Sequence, residues 1–293
     1  MKRLLFFINP NAGHAEIRSS LMEVLAIFCK GGYEPTVHMT TGPRDITRQI
    51  AARGTQYDLI VCTGGDGTLN EVIHGLATAN IDVPLGYIPC GSTNDFAASH
   101  GLSTDIIEAA EHIASGYSTR YDIGCFGGRH FTYVAAFGAF SWLSYTTDQN
   151  MKNVLGHTAY ILDAIKDLYK IKPLHMKVTA DGVTHEDDYI FGAICNTTSV
   201  AGTITLPAAM VDTADGVFEV LLVKMPKTML ELDMIIRGLL SQDYSCPNID
   251  LFQAKELDIE NPPELEWSLD GEASGVMDKV HVSVIPRFLN LRG

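Results

Sequence analysis

Residues 58–79 read DLIVCTGGDGTLNEVIHGLATA. The apolar run Asp58 to Cys62 has the length of a buried strand, and the segment Leu69 to Ala79 has the pattern of a helix. The glycine-rich turn Gly64 to Thr68 joins the two. The stretch therefore predicts a strand, a tight turn and a helix in immediate succession.

The composition of this turn is that of an anion site. Glycines let the main chain approach an anion closely, and the amides at a helix N-terminus carry positive partial charge. Asp66 would repel a phosphate unless a divalent cation lay between them, and Mg²⁺ prefers such a carboxylate together with phosphate oxygens. The turn matches neither the Walker pattern nor the dinucleotide pattern GxGxxG. Taken alone, it is also compatible with a plain strand–turn–helix connection.

Similar units lie on both sides of this stretch. Strands are predicted at Leu4 to Ile8, Thr36 to Thr40 and Val83 to Ile88, with helices ending at Lys30 and spanning Asp45 to Ala52. Strands that alternate with single helices imply right-handed crossovers. The first part of the chain is therefore predicted to be an α/β doubly wound, mainly parallel sheet with helices on both faces.

Two further polar turns follow strands of this predicted sheet. Asn9-Pro10-Asn11-Ala12-Gly13 ends the first strand, and Gly91-Ser92-Thr93-Asn94-Asp95 follows the fourth. In sheets of this kind, ligands bind beyond the carboxyl ends of the strands. Three such turns at one edge favour a ligand site over three unrelated connections.

From about Tyr121 the pattern changes to closely spaced strands, which predict antiparallel sheets. They are Met176 to Thr179, Tyr189 to Cys195, Val217 to Val223, Leu257 to Ile259 and Lys279 to Ile285. Two helices interrupt them, one capped by Asn153 and one running roughly from Lys227 to Leu240. The predicted domains are 1–125 and 126–285, with residues 286–293 returning to the first.

Composition excludes several classes of function. A formal net charge of −14 argues against binding nucleic acid, and against docking on anionic lipid by charge alone. The longest apolar stretch, Val134 to Leu143, is too short to cross a bilayer, so no transmembrane segment is expected. None of the six cysteines forms a CxxC pair, which favours reduced thiols in a cytoplasmic protein.

Taken together, the motifs resemble the bacterial soluble lipid kinases of the diacylglycerol kinase catalytic-domain family, relatives of the sphingosine kinases. The matching stretches span nearly the whole chain: Asn9-Pro10-x-Ala12-Gly13, Gly64-Gly65-Asp66-Gly67-Thr68-x-Asn70-Glu71, Gly91-Ser92-Thr93-Asn94-Asp95-Phe96-Ala97, Gly156 with Ala159-Tyr160, Pro207-x-Ala209 with Asp215-Gly216, and Leu269-Asp270-Gly271-Glu272. The Gly-Gly-Asp-Gly-Thr element alone is shared with NAD kinases. The resemblance implies a nucleotide-binding α/β domain, a C-terminal antiparallel β-sandwich-like domain for the lipid substrate, and an active site in the cleft between them.

The resemblance also implies an ATP- and Mg²⁺-dependent kinase that transfers the γ-phosphoryl group of ATP to a lipid hydroxyl, that of diacylglycerol or a related lipid alcohol. Asp66 and Asp95 would act through Mg²⁺ and the nucleotide, and Glu272 looks like the general base. The residues that would contact ATP are Asn9, Pro10, Asn11, Ala12, Gly13, Thr40, Gly64, Gly65, Asp66, Gly67, Thr68, Leu69, Asn70 and Ser92.

A second, structural Mg²⁺ site is implied in the later part of the chain. It would use Asp212, Asp215, the carbonyl of Val217 and, through water, Asp122. The lipid substrate implies a cytoplasmic protein that meets the inner face of the membrane transiently. A homodimer is among the assemblies that the resemblance allows.

Two other functions stay open at this point. An NAD kinase-like enzyme would need a second Thr-Gly-Ser-Thr-Ala signature, which is absent from the sequence. A non-catalytic nucleotide-binding regulatory module would not require Asp66, Asp95 and Glu272 together. The sequence also carries His14 where the family commonly has Lys, which removes a fixed positive charge near phosphate or lipid. The sequence does not name the lipid.

Overall fold

The computed structural model describes residues 1–10, 16–91, 94–138, 172–200 and 204–293. The chain divides into two compact units. Unit 1 comprises residues 1–124, 129–132 and 285–293, and unit 2 comprises residues 125–128 and 133–284. The domain limits expected from the sequence, 1–125 and 126–285 with a return of 286–293 to the first domain, remain a prediction.

Unit 1 alternates strands with helices. Its strands are β1 (Lys2–Ile8), β2 (Tyr33–Met39), β3 (Leu59–Gly64) and β4 (Leu85–Pro89). Its helices are α1 (Glu16–Lys30), α2 (Asp45–Arg53), α3 (Asp66–Ala79), α4 (Asp95–Ser99) and α5 (Ile106–Ser115). Two strands at the limit of the unit follow, β5 (Ser118–Phe126) and β6 (Arg129–Phe131).

The strands of unit 1 form the parallel sheet that the sequence predicted. Strand β1 lies parallel to both β2 and β3, and β3 lies parallel to β4, which gives the order β2-β1-β3-β4. The carboxyl ends of β1 and β3 therefore meet at one edge, because Ile8 pairs with Thr63. The polar turns that follow these strands start side by side.

Strand β1 has an uninterrupted apolar sequence because both of its faces are buried. Leu4 and Phe6 lie in one hydrophobic cluster with Phe28 of α1 and Ile113 of α5. Leu5, which alternates with them, is also fully buried. Burial of each large side chain contributes about 1.5–3 kcal/mol, so this strand alone accounts for a substantial part of the core.

Unit 2 consists mainly of antiparallel strands. They are β7 (Val134–Gly138), β8 (Leu174–Ala180), β9 (Val183–Cys195), β10 (Ser199–Val200), β11 (Ile204–Thr205), β12 (Phe218–Lys224), β13 (Ile249–Ala254), β14 (Glu256–Glu260), β15 (Glu266–Leu269), β16 (Glu272–Val276) and β17 (Lys279–Arg292). Within the described part of unit 2, helix α6 (Met229–Ser241) interrupts these strands.

Long strand β9 organises unit 2. Its first half pairs with β8, and its second half pairs with β7 on one side and β12 on the other. Strand β12 also pairs with β13, so it is an inner strand of the sheet. All of these pairs are antiparallel, as the sequence predicted for this part of the chain. Trp267 packs at 4.6 Å from Phe137 and 5.1 Å from Phe126, between ring centroids, within the core of the unit.

The end of the chain belongs to unit 1. The last residues of β17 run parallel to β4, with Leu291 beside Leu85 and Arg292 beside Gly86. The guanidinium group of Arg292 donates to the Tyr33 hydroxyl at 2.5 Å and to the carbonyl of Ile113 at 3.4 Å. These bonds tie the C-terminal residues to β2 and α5.

Some elements differ from the sequence prediction. Helix α3 begins at Asp66, three residues before the predicted start, because Gly65 takes an extended conformation that ends the turn there. Helix α6 confirms the prediction of a helix near Lys227 to Leu240. The elements that were not predicted are helices α4 and α5 and strands β5, β6, β7, β10, β11, β13, β15 and β16. The helix expected after Asn153 lies outside the described residues.

Candidate active site

The glycine turn leads from the end of β3 directly into α3. The N-cap residue of α3, Gly65, has no side chain, so no side-chain cap satisfies the first amides of the helix. By helix geometry the amides of Asp66 and Gly67 have no intrahelical acceptor. An anion placed here would meet free amides with positive partial charge, which suits a phosphate.

Close contacts leave no room for a side chain at Gly64 or Gly91. A Cβ on Gly91 would lie 2.6 Å from the Cα of Gly65, and a Cβ on Gly64 would lie 2.5 Å from Oγ1 of Thr68. The amide of Cys90 donates to the carbonyl of Gly64 at 2.8 Å, which fixes the turn after β4 beside the turn after β3. Larger residues would push these turns apart.

The turn after β1 joins the same group. Asn9 donates from Nδ2 to Oγ1 of Thr68 at 3.0 Å, and its amide donates to the carbonyl of Thr63 at 3.3 Å. Thr40 lies at the end of β2, where its amide donates to the carbonyl of Ile8 at 2.9 Å. The structure therefore brings together predicted residues from four strand ends. Among the predicted ATP contacts, Asn11, Ala12, Gly13 and Ser92 lie outside the described residues, as does His14.

Asp66 and Asp95 lie beside the glycine turn, as the first residues of α3 and α4. Asp66 accepts hydrogen bonds from the amide of Asp95 at 3.1 Å and from the amide of Phe96 at 3.2 Å, so it holds the start of α4. Burial, together with the negative charge of Asp66, raises the pKa of Asp95. A cation would relieve this repulsion, and two carboxylates with phosphate oxygens form a donor set that Mg²⁺ prefers.

A pair of histidines adjoins the helix that follows the turn. Nδ1 of His74 lies 2.9 Å from Nδ1 of His130, and Asn70 donates from Nδ2 to the carbonyl of His130 at 3.2 Å. Burial, with a smaller contribution from the charge of His74, lowers the pKa of His130 to about 4. Burial and the charges of Arg129 and Arg44 lower the pKa of His74. Both rings are therefore neutral at pH 7.

This histidine pair predicts a loss of stability in mild acid. The pKa of His130 is about 4 in the folded chain, against 6.5 for an unperturbed His. The unfolded state then binds more protons between these values, so the stability is complete above about pH 6.5 and falls as the pH drops towards 4. We expect this histidine to account for roughly 2–3 kcal/mol of that loss.

Urea unfolding between pH 7.5 and 4 measures this effect by comparing wild type with His130→Asn. Asn keeps a polar group near the position of Nδ1 but does not titrate, so its loss of stability should be smaller. His112→Asn, on the exposed side of α5, is the matched control and should follow wild type. Equal losses in wild type and His130→Asn would contradict the prediction.

Sequence reasoning missed residues that shape this edge of unit 1. Glu71 accepts from the amides of Ile46 at 2.9 Å and Thr47 at 3.4 Å, so it caps α2. Asp45 accepts from the amide of Thr41 at 2.9 Å and lies 3.0 Å from Nε2 of His38. The hydrogen bond from His38 is the main reason that the pKa of Asp45 is lowered to about 2. An acidic residue at a helix start was the available signal.

In unit 2, the predicted base Glu272 is placed by a tight turn. Asp270 and Gly271 join β15 to β16 with φ angles of 50° and 86°, as a two-residue hairpin turn requires. The buried carboxylate of Asp270 accepts from the amides of Tyr133 at 3.1 Å and Val134 at 3.0 Å. Glu272 follows as the first residue of β16 and is exposed. The Asp-Gly pair was the sequence signal for this hairpin.

The predicted structural metal residues occupy the segment before β12. Oδ1 of Asp212 accepts from the amide of Ala214 at 3.0 Å, and Oδ1 of Asp215 accepts from the amide of Val217 at 3.1 Å. Both aspartates are exposed. In the described part of the chain, no three His, Cys, Asp or Glu side chains are grouped so that they could hold a metal ion. The set expected at this segment contains only two such side chains, those of Asp212 and Asp215, together with the carbonyl of Val217.

Asp122, the remaining predicted metal residue, lies in unit 1. Its carboxylate is 1% exposed and accepts a hydrogen bond from the amide of Arg287 at 2.5 Å. Arg287 itself has a φ of 51°, so this bond holds an unusual main-chain conformation in the returning strand. Asp122 thus fixes the C-terminal strand, and a role towards a metal stays a prediction.

Comparison with known proteins identifies the family. Residues 3–126 match the diacylglycerol kinase catalytic domain, and residues 140–293 match the YegS C-terminal NAD kinase beta sandwich-like domain. A diacylglycerol kinase of Bacillus subtilis is 31% identical over 282 residues, covering 94% of this chain and 92% of that protein. The chain belongs to the diacylglycerol kinase family.

Other members of the diacylglycerol kinase family agree with this assignment. A diacylglycerol kinase of Staphylococcus saprophyticus is 31% identical and covers 99% of this chain and 93% of its own length. A crystal structure of a diacylglycerol kinase from Bacillus anthracis has a TM-score of 0.77 at 23% identity, covering 99% of this chain and 96% of that chain, which supports the fold. The protein is therefore a lipid kinase with a mixed α/β fold.

Because the substrate of a lipid kinase lies in a membrane, the apolar segments of the chain are of interest. Among the described residues, no helix is both long and apolar enough to span a membrane. Residues 139–143 of the apolar stretch Val134 to Leu143 lie outside the described residues.

Proposed function

We propose that the protein transfers the γ-phosphoryl group of ATP to the hydroxyl group of diacylglycerol or a related lipid alcohol, with Mg²⁺ as the metal. The observation that carries this proposal is that the Asp66 carboxylate, at the uncapped N-terminus of α3, accepts from the amide of Asp95 and acts by its charge on the Asp95 carboxyl group. Adjacent carboxylates repel one another, and free helix amides attract an anion. A phosphate chain with bound Mg²⁺ would relieve the repulsion between the carboxylates and would accept hydrogen bonds from the helix amides.

In this proposal the first unit binds the nucleotide. The amides of Asp66 and Gly67 donate to phosphate oxygens, while Asn9 and Thr68, joined by their hydrogen bond, keep the neighbouring turns together. The end of β2, with Thr40, closes the same edge. The other residues of the proposed ATP site are Pro10, Asn11, Ala12, Gly13, Gly64, Gly65, Leu69, Asn70 and Ser92.

The chemistry requires positioning and charge neutralisation more than strong bond-making, because the transition state is largely dissociative. Mg²⁺, when bound, would neutralise the charge on the phosphate oxygens. Asp66 and Asp95 would hold it. A bond forms between the lipid oxygen and the γ-phosphorus while the bond from phosphorus to the departing ADP oxygen breaks. The proton of the lipid hydroxyl passes to Glu272.

The anchored turn before Glu272 supports its proposed role as the base. Asp270 is bonded to two main-chain amides and Gly271 tolerates the positive φ, so the first residue of β16 has a fixed main-chain position. A base must lie within hydrogen-bond reach of the proton that it accepts. A rigid hairpin is better suited to that requirement than a mobile loop.

We also propose that Asp212, Asp215 and the carbonyl of Val217 hold a second, structural Mg²⁺, with Asp122 acting through water. Each aspartate uses one oxygen in a local main-chain bond, which leaves its second oxygen for a ligand. The buried Glu219 beside this segment has one oxygen without a hydrogen-bond partner. This donor set, made only of oxygens, fits Mg²⁺.

The second site predicts that Asp215→Ala weakens stabilisation by Mg²⁺. A metal that binds only the folded state raises the melting temperature by mass action. Without nucleotide, we expect the melting temperature of wild type to rise with Mg²⁺ and that of Asp215→Ala to rise much less. Asp243→Ala, also on a turn of unit 2, is the control and should respond as wild type does. Equal shifts in wild type and Asp215→Ala would remove the site.

The proposed substrate places the protein in the cytoplasm, transiently at the inner face of the membrane, in phospholipid metabolism. The net charge of −14 means that attraction to anionic lipid does not by itself explain docking. A homodimer remains a prediction, and the molar mass from light scattering would test it.

The test of the function is transfer of label from γ-labelled ATP to an acceptor. Purified protein with Mg²⁺ is incubated with mixed micelles of diacylglycerol, of phosphatidylglycerol or of a sphingoid alcohol, and in a separate arm with NAD. We expect label in the organic phase with diacylglycerol and none in NAD. Labelled NAD phosphate, or no labelled product in any arm, would contradict the proposal.

A further inference from the structure

Glu219 is a charged residue in an unusual place. It lies on the inner strand β12, opposite Cys195 of β9 and Gln253 of β13, and its exposed fraction is 0%. Oε1 accepts a hydrogen bond from Nε2 of Gln253 at 3.1 Å. Oε2 is buried and has no hydrogen-bond partner. One half of this carboxyl group is therefore unsatisfied inside the sheet.

Such an arrangement is costly unless something compensates for it. A buried polar group without a hydrogen bond costs free energy, and a buried unpaired charge costs more. The charged groups that act on the Glu219 carboxyl group are the carboxylates of Asp215 and Asp212, and none of the described ones is a cation. The surroundings thus add negative charge instead of balancing it.

The segment that carries both aspartates is fastened next to Glu219. Nε2 of Gln253 donates both to Oε1 of Glu219 and, at 3.0 Å, to the carbonyl of Met210. The chain then turns through Asp212 and Asp215 and returns to β12 only one residue before Glu219. One amide group therefore links the buried carboxyl group to the start of the segment, and β12 links it to the end.

We propose that Glu219 is a positioning residue of the structural Mg²⁺ site, where Oε2 accepts a hydrogen bond from a water molecule bound to the metal. The inference rests on the second Mg²⁺ site of the proposed function and adds a residue to it. Mg²⁺ gives up its waters reluctantly and keeps several of them in proteins. A water donor satisfies Oε2, and the nearby metal balances three carboxyl groups.

Water-mediated contact fits the described residues better than direct ligation by three carboxylates, which are not grouped for it there. Partners of this outer kind orient the inner ligands, and their loss typically weakens metal binding about 10- to 100-fold. Glu219 would also hold the Asp212 to Val217 segment against β12, so that the inner ligands are in place before the metal arrives.

The test is Glu219→Gln, which keeps the size and the acceptor for Gln253 but places an NH₂ group where Oε2 was. That group donates and cannot accept from a metal-bound water. We expect two opposite effects in the absence of nucleotide. Without Mg²⁺, the melting temperature stays equal to that of wild type or rises, because a buried carboxyl group has been removed. The Mg²⁺ concentration that gives half of the thermal shift rises about 10-fold or more.

Glu256→Gln is the matched control, since it removes one carboxylate from an exposed position of β14 in the same unit. Its Mg²⁺ midpoint should equal that of wild type. Asp215→Ala serves as the reference for loss of an inner ligand. Calorimetric titration of Mg²⁺ into each folded variant measures the same affinities independently. If Glu219→Gln does not fold, Glu219→Asp retracts the carboxylate by one methylene and should also raise the midpoint.

The outcomes separate this inference from the site on which it rests. A wild-type midpoint in Glu219→Gln, or in Glu219→Asp where that variant is used, together with a loss of response in Asp215→Ala, would overturn the role of Glu219 and keep the metal site. No response to Mg²⁺ in wild type would overturn both. A raised midpoint with an unchanged or higher metal-free melting temperature would support the inference, because a merely structural residue would alter only the metal-free value.

Discussion

Asp66→Asn is expected to abolish phosphoryl transfer, with kcat lowered by about a thousandfold or more. Loss of a metal contact where charge develops costs several kcal/mol of barrier, and each 1.4 kcal/mol or so corresponds to tenfold in rate. The change is nearly isosteric, but it removes the carboxylate charge proposed to face Mg²⁺. The measurement is kcat at saturating ATP with the most active lipid of the panel.

Asp66 also stabilises the start of α4, and the experiment must separate this structural role from its proposed role in holding Mg²⁺. Its two oxygens accept from the amides of Asp95 and Phe96, and an Asn side chain has only one oxygen to offer them. We therefore expect a loss of about 1 kcal/mol in stability, as for other helix caps. Asp105→Ala is the control for loss of a helix cap, because Oδ1 of Asp105 accepts from the amides of both Ile107 and Glu108 at the start of α5.

Asp105→Ala should keep full activity, which would attribute the loss of activity in Asp66→Asn to the metal and not to the loss of a helix cap. Circular dichroism and the melting temperature establish that both variants are folded. An Asp66→Asn variant that keeps half of the wild-type rate or more with any lipid would rule out the proposed role of Asp66.

The parallel half of the fold could be predicted because its signals are local. The apolar run Leu4 to Ile8 and the glycines after β3 each determine their own stretch of chain, and parallel pairing follows from the intervening helices. Helix α5 carried comparable signals, since Asp105 caps its start and Gly116 ends it. These local signals are sufficient to predict α5.

The contacts that define the candidate sites were harder to predict because they depend on pairing between distant segments. His74 meets His130 from 56 positions away, and no local pattern indicates that they touch. The neighbours of Glu219 in β12 are apolar. Because charged side chains are mostly exposed in proteins, the sequence alone would predict that Glu219 faces solvent. Its burial follows from β12 lying between β9 and β13, which only the tertiary structure determines.

Glu272→Gln is the second variant with a large expected effect, because it tests the proposed base directly. Gln keeps the shape of the side chain and most of its hydrogen bonding, but it does not accept a proton. General-base catalysis contributes about a hundred- to ten-thousandfold in rate, so kcat should fall within that range. The main-chain position should not change, since it is set by the Asp270–Gly271 turn and by the pairing of Glu272 with Leu269.

ATP affinity, measured by calorimetry, distinguishes a base from a nucleotide ligand. The proposed ATP contacts all lie in unit 1, whereas Glu272 lies in unit 2, so affinity should remain near that of wild type. The control is Glu266→Gln in the neighbouring strand β15, whose carboxylate accepts from the amide of Gly275 at 3.2 Å. It changes the same charge in the same hairpin, and its kcat should remain close to wild type.

The combination of the two measurements decides the role of Glu272. A large fall in kcat with unchanged ATP affinity, absent in Glu266→Gln, is what a proton acceptor predicts. Unchanged kcat would exclude the base role, because no other feature of Gln could replace a carboxylate in accepting the proton. A loss of ATP affinity with normal turnover at saturating ATP would assign Glu272 to nucleotide binding. The lipid hydroxyl would then have to lose its proton to another group, for which Asp95, with its raised pKa, is the first candidate.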